Sequence, residues 1–364
     1  MTGGLGLRRF VEFAQAFALA ALLSACSTMQ QAGITPGLAP QPPMVAETVG
    51  TGQLVIGVVS FAEPLNRSGG VADATALAAK LAAQSITKHP VSVVIRPQSE
   101  AIARDAAAFQ AANVRVIIGG SDGRTIAGLA RAMAPGKVPT IALASLSDTG
   151  SLLYGAGLAT REEAVALIGE AKRLGYARIG IVSGREPESA GFAMALADVA
   201  TANDIATVRL DAGKPAAFQP DLAAVLADGK LDALVFAIDP QRASGLVQSV
   251  DATGIAIVGN AGWTLAEPLP APVSTSWYPS LPRASITAFV QRFRAAYNAT
   301  PTLASAVVYD LVVMSAVLDQ VAGAEAFSSG TLQSDLGFTG FSGPFTFGSL
   351  GLVQSRSYEI VAGR

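Results

Sequence analysis

Residues 114–145 read VRVIIGGSDGRTIAGLARAMAPGKVPTIALAS, and this stretch decides the fold. A short apolar run over 114–118 ends at Gly119-Gly120 and passes through Ser121-Asp122 into a segment of helical spacing over 123–133. Pro135-Gly136 breaks that segment, and residues 138–144 are apolar again. Strand, glycine loop, helix, strand is the unit of a parallel sheet, because parallel neighbours need a crossover lying on a sheet face. The apolar runs lack polar alternation, which marks strands buried on both faces.

The same pattern extends in both directions. Upstream lie a strand at Leu54–Ser60, a helix over 71–88, a strand over 91–96 and a helix over 100–112. Downstream come helix 161–174, strand 177–182, helix 188–202, strand 205–210, helix 216–227, strand 231–238, helix 242–251 and strand 255–258. Two such runs of about 90 residues each predict an α/β protein of two doubly wound parallel-sheet lobes, with right-handed crossovers. The last part changes character: helices over 282–297 and 303–321 flank the breaker Asn298-Ala299-Thr300-Pro301. Residues 341–347 and 352–361 then read as antiparallel strands, with Ser355, Ser357 and Glu359 on one exposed face. The expected partition is lobe one at 53–157 and 280–330, and lobe two at 158–279 and 331–364. A three-strand hinge would join them, with crossings near 157–161, 276–282 and 328–338.

Ahead of this body, Arg8 and Arg9 precede an apolar stretch over 10–23 that is too short and too interrupted to span a membrane. It is laid out as a secretory signal, 1–25. Its end, Leu23-Ser24-Ala25-Cys26, resembles the bacterial lipobox, in which the cysteine is acylated and becomes the new N-terminus. That resemblance implies a membrane anchor at Cys26, and the Ser27 that follows implies sorting to the outer membrane. Residues 26–52, with Pro36, Pro40, Pro42 and Pro43, read as a tether.

Composition narrows the function. The chain has 364 residues, 51% apolar and 14% charged, with net charge −2. No basic stripe exists to neutralise phosphates, so nucleic acid is not an expected partner. Cys26 is the one cysteine and His89 the one histidine. Cysteine- or histidine-based metal sites and a Ser-His-Asp constellation are thereby excluded, and neither cofactor nor catalytic residue is expected. Gly155-Ala156-Gly157-Leu158-Ala159-Thr160 lacks the last small residue of a dinucleotide loop.

Three stretches in order resemble the type I periplasmic binding fold, the leucine-binding-protein-like superfamily: 114–145 itself; FVQRFRAAYNATPTLASAVVYD at 289–310; and GFTGFSGPFTFGSLGLVQSRSY at 337–358. Within it, Gly259-Asn260-Ala261-Gly262-Trp263 and Gly343-Pro344-Phe345-Thr346-Phe347 resemble lipoproteins called penicillin-binding protein activators. Those larger relatives carry a helical-repeat domain ahead of the binding fold, where this chain has a tether. The resemblance implies a non-catalytic envelope protein whose partner is a peptidoglycan synthase. The alternative is the substrate-binding protein of an ABC transporter for amino acids or similar solutes, with a permease as partner.

In open α/β sheets, ligands sit beyond the carboxyl ends of the strands. That places the candidate cleft at loops 60–70, 119–123 and 145–150 of lobe one, and 183–189, 239 and 259–263 of lobe two. Gly119-Gly120-Ser121-Asp122 leads into a helix, where free N–H groups and the helix dipole favour an anion. Ser121 or Asp122 would equally serve as an N-cap. In the amino-acid-binding relatives, residues matching Ser121, Ser145 and Ser147 hold the ligand carboxylate. Asp239 is a candidate for a ligand amine or a helix cap, and Trp263 for ligand stacking or core packing. The relatives' aromatic after the first strand of lobe two has no counterpart in Ser183-Gly184-Arg185-Glu186-Pro187-Glu188-Ser189.

Overall fold

The structure is a computed structural model, and it describes residues 46–61, 73–144, 146, 150, 152–158, 161–248, 250, 254–266, 270 and 276–362. The expected signal segment, Cys26 and the tether as far as residue 45 lie outside these residues, as do Ser145 and Ser147.

Two six-stranded sheets organise the chain. The first contains β1 (Glu47–Val49), β2 (Leu54–Ser60), β3 (Val91–Pro97), β4 (Val116–Gly119), β5 (Thr140–Ala142) and β6 (Leu153–Gly155) in the order β1-β3-β2-β4-β5-β6. All pairs are parallel except β1 with β3, which is antiparallel with Thr48 opposite Val94. The end of the expected tether is therefore an edge strand. Thr48 and Val49 carry the β-branched side chains that suit one.

The helices of this lobe are α1 (Ala74–Ser85), α2 (Ile102–Ala111) and α3 (Gly123–Met133). Ile56 and Val58 of β2 pack under α1 and the late helices, while Val59 packs with Phe109, Ile126 and Leu129 on the other face. The uninterrupted run Leu54–Ser60 serves two cores at once, and burying each large side chain contributes about 1.5–3 kcal/mol.

The second sheet repeats the plan. It contains β7 (Arg178–Ser183), β8 (Ala206–Asp211), β9 (Ala233–Phe236), β10 (Ala256–Val258), β11 (Trp277–Ser280) and β15 (Glu359–Ala362), ordered β15-β11-β10-β9-β7-β8. Its helices are α4 (Arg161–Arg173), α5 (Pro187–Thr201), α6 (Pro215–Ala227) and α7 (Pro240–Val247). Only β15 runs antiparallel, with Tyr278 opposite Val361. Strand order reverses between β2 and β4 in the first sheet and between β7 and β9 in the second. Each lobe thus has one topological switch point.

After β11 the chain returns to the first lobe as α8 (Arg283–Tyr297) and α9 (Leu303–Ala322), followed by the short α10 (Ser329–Leu332). Thr302 and Ser305 form a capping box at the start of α9. Among the described residues, Leu303–Glu325 is long and apolar enough to cross a membrane by length and composition. Its residues Val307, Val308, Leu311 and Val312 are buried in the first-lobe core beside α1, which accounts for the all-round apolar sequence.

The C-terminal part departs from expectation. Residues 338–354 form a separate sheet, β12 (Phe338–Gly340), β13 (Gly343–Phe347) and β14 (Val353–Gln354), that packs on the first lobe. Phe341 stacks near Phe289 and Tyr309, and Phe347 meets Tyr154 edge-on at 5.4 Å. These aromatics hold 338–354 to lobe one, against the assignment of all of 331–364 to lobe two. Only β15 joins the second sheet. The third crossing between lobes is therefore 355–358, not 328–338. The run 352–361 is two strands in two sheets, broken at Ser355, which sits at φ 62°.

Candidate functional site

At the first switch point, β2 and β4 end side by side. Gly119 and Gly120 both have positive φ, 110° and 77°, and a Cβ on Gly119 would lie 2.2 Å from the Val59 carbonyl oxygen. Only glycine admits this turn. It aims the next two amides, of Ser121 and Asp122, out of the strand end at the start of α3. These N–H groups are occupied. Both donate to the side-chain oxygen of Gln98, at 2.7 and 3.3 Å. Gln98 follows β3 and is itself fixed by its N–H to the Ser60 carbonyl at 2.7 Å. The amides at which an anion was expected are taken by a neutral carboxamide of the same chain.

Asp122, not Ser121, caps α3, accepting from the Thr125 amide at 2.7 Å. Hydrogen bonds from Thr125 hold its pKa below the ordinary value, so it stays ionised. The Ser121 side chain is left exposed at the mouth of the loop.

At the second switch point, Ser189 ties the loop after β7 to that after β9. Its hydroxyl accepts from Gly184 N–H at 2.8 Å and donates to the Ala237 carbonyl at 2.6 Å. The charged residues of this loop pair among themselves or with neighbours: Glu186 with Arg242 at 2.5 Å and Arg185 with Asp211 at 3.6 Å. Asp239 is the N-cap of α7, accepting from the Arg242 amide at 2.9 Å. Its carboxylate is exposed, and one oxygen is spent on the cap.

Trp263 is corrected from a stacking candidate to a core residue. It is 1% exposed, with Phe236 and Tyr278 rings 6.4 and 6.3 Å from its own. A Cβ on Gly259 would fall 2.1 Å from the indole, so the glycine of this loop makes room for the tryptophan.

Four residues at or near the cleft escaped the sequence reading. One is Gln98. Glu188, in the first turn of α5, has its carboxyl pKa raised by desolvation from the surrounding protein. Glu163, in the first turn of α4, is buried and accepts from the Ala261 amide at 2.7 Å. Burial, with Glu188 nearby, pushes its pKa up to about 8. Arg356, on the third crossing, is buried against Phe345. The alternation that exposes Ser355 and Ser357 also turns Arg356 inward, a signal present in the sequence.

A cavity of about 250 Å³ flanks the second crossing, between α8 and the turn Ala261–Leu265. Thr264, Ser280, Arg283 and Gln291 are among its walls. It lies away from both switch points. Among the described residues, no three His, Cys, Asp or Glu side chains gather as a metal site.

The model of the periplasmic binding protein family matches residues 53–352, and the chain belongs to that family. No curated protein sequence matches the chain. Among solved structures, it is similar to a putative branched-chain amino acid ABC transporter protein from Rhodospirillum rubrum (14% identity, TM-score 0.67, covering 85% of this chain and 97% of that one). It is also similar to an ABC transporter substrate-binding protein from Desulfitobacterium hafniense in complex with Leu (18%, TM-score 0.64, 85% and 97%). A third is a solute-binding protein of an ABC transporter from Rhodopseudomonas palustris in complex with 3,4-dihydroxybenzoic acid (15%, TM-score 0.66, 85% and 92%). At these identities the likeness is one of fold: the type I periplasmic binding fold, two parallel-sheet lobes joined by three crossings.

Proposed function

We propose that this chain is the solute-binding component of an ABC transporter, taking a small carboxylate-bearing solute between its lobes. The observation that carries this reading is the pair of amides at Ser121 and Asp122, set by two positive-φ glycines at a switch point and filled by the Gln98 carbonyl oxygen. A ligand carboxylate would replace that oxygen with a charged acceptor, which helix-terminal amides bind more strongly. The solved neighbours with bound leucine or dihydroxybenzoic acid have quite different ligand bodies but share a carboxylate. Ser121, Ser145 and Ser147 are assigned to the carboxylate end. Asp239, whose second oxygen lies 4.0 Å from Arg242 Nε, is the candidate on lobe two for a ligand amine. The reading as a regulator of a cell-wall synthase draws no support from the matched structures, so the transport reading takes precedence.

In this proposal the protein works in the cell envelope, anchored through acylated Cys26, with residues 26–45 as the spacer. The decisive experiment is thermal unfolding against a panel of amino acids and aromatic carboxylates. A ligand at 100 times its dissociation constant adds about 2.7 kcal/mol of stability. A clear shift with one carboxylate class, lost on Ser121→Trp, is the expected result. A panel with no shift, together with cellular crosslinking to a peptidoglycan synthase, would overturn the reading in favour of the regulator.

A further inference from the structure

Solute binding makes no use of Arg356, and its setting is unusual. The residue is 4% exposed, and its Nε, Nη1 and Nη2 are all buried without a hydrogen-bond partner. Its guanidinium lies 5.7 Å from the centre of the Phe345 ring. A guanidinium keeps its charge in a protein and offers five N–H donors, so leaving all of them unused in the interior is strongly unfavourable. Burial does lower its proton affinity, opposed by the charges of Tyr358, Asp310, Glu162 and Glu163.

Those neighbours come from both lobes. Asp310 belongs to α9 of lobe one, and both its oxygens are taken by backbone amides, Phe341 at 2.8 Å and Ser342 at 2.6 Å. Asp310, Phe341 and Ser342 all pack in lobe one, so lobe motion leaves that arrangement intact. Glu162 and Glu163 open α4 of lobe two, immediately beyond the first crossing. The third crossing, which carries Arg356, is tied to the first by the Tyr358 hydroxyl, which donates to the Leu158 carbonyl at 3.1 Å. Arg356 therefore stands on the pivot, with one fixed carboxylate, Asp310, on its own side and two, Glu162 and Glu163, on the other lobe.

We propose that Arg356 is a hinge switch: unpaired in the present lobe arrangement, it forms an ion pair with the ionised Glu163 carboxylate at a second lobe angle. In the present arrangement Glu163 is buried and accepts from the Ala261 amide. Among the charged groups near it, Glu188 of α5 resists its ionisation and Arg356 favours it. At neutral pH it holds its proton here and offers Arg356 no charge. Pairing at the second angle releases that proton to solvent. One proton thus links lobe angle to pH, and higher pH favours the paired arrangement.

The test needs no solute, so its failure is distinct from failure of the transport reading. Spin labels are placed on Arg104→Cys in lobe one and Asp221→Cys in lobe two, both exposed positions. The full chain carries Cys26→Ser and is held in detergent. Interlobe distances are measured by double electron–electron resonance from pH 5 to 9. The expected result is two populations, whose ratio rises with pH by up to about tenfold per unit, the limit for one proton. The ratio levels off above pH about 8. Glu163→Gln should keep the low-pH distribution throughout, and Arg356→Met should lose the pH dependence. If Arg356→Met does not fold, Arg356→Lys, which keeps the charge, should retain the shift. A single pH-independent distribution in the parent, or titration that survives in Glu163→Gln, overturns the proposal.

Discussion

Replacing Gln98 with Glu puts a carboxylate into the amide pair at Ser121 and Asp122 without any ligand. In the wild type, these two neutral hydrogen bonds contribute about 1 kcal/mol for the shorter and less for the one at 3.3 Å. A charged acceptor roughly doubles the strength of such bonds, and the helix start adds about 0.3–1 kcal/mol. The ionised Asp122 one residue along opposes this, by something under about 1 kcal/mol at a half-exposed, screened position. The balance is a gain of about 1 kcal/mol at pH 7, a melting increase of about 2 °C in a domain of this size. The introduced carboxylate has its pKa lowered on folding, so the gain is present above about pH 4.3 and is lost as pH falls below it. Gln98→Ala is the reference. It loses the bonds and should fall about 1 kcal/mol below wild type. Scanning calorimetry at pH 7 and pH 3.5 measures all three proteins. If Gln98→Glu is no more stable than Gln98→Ala at pH 7, the amide pair is not an anion site and the assigned carboxylate end is wrong. If the assignment is right, Gln98→Glu also abolishes binding of any carboxylate that the wild type accepts.

Three further outcomes follow from the site and its surroundings. Cys26→Ser should move the protein from the membrane fraction to a soluble or unprocessed pool; unchanged sedimentation with membranes would contradict the lipid anchor. Trp263→Ala should cost about 3–5 kcal/mol through the cavity left between Phe236 and Tyr278. Urea unfolding checks this, and a cost under about 1 kcal/mol would return Trp263 to the cleft. Glu163 and Asp310 have pKa values raised by burial to about 8 and about 6. Their contribution is fully present below about pH 4, where both are also protonated in the unfolded chain, and is lost as pH rises through those values. Urea midpoints should therefore fall between pH 5 and 8, less steeply in Glu163→Gln, and a midpoint that rises over this range would contradict the burial of both groups.

The parallel-sheet lobes were legible because each buried strand, such as Leu54–Ser60, is an unbroken apolar run closed by turn residues. Those signals are local. The third crossing was not legible, because the order Phe338, Phe341, Phe345, Phe347 states that these residues are buried but not against which lobe. Their partners Phe289, Tyr309 and Tyr154 are distant in sequence. The glycine turn before α3 could be read directly, since Gly119-Gly120 followed by Ser121-Asp122 spells a left-handed turn running into a helix cap. Its occupant could not, because Gln98 is an ordinary polar residue after a strand until β2, β3 and β4 are placed side by side. Asp239 and Trp263 illustrate the opposite problem: capping and packing use the same residue types as binding, and only burial and hydrogen-bond partners separate them.

The strands β1 and β15 occupy equivalent places, each an antiparallel rim on an otherwise parallel sheet. Each shields a neighbour, β3 or β11, whose backbone groups on that side would otherwise be bare and available for intermolecular pairing. The two seals are separated by some 310 positions of sequence, from Val49 to Glu359. A nascent chain therefore carries an unsealed second sheet until β15 arrives. Clipping residues 359–362 would leave the first lobe whole and turn the second into a template for self-association.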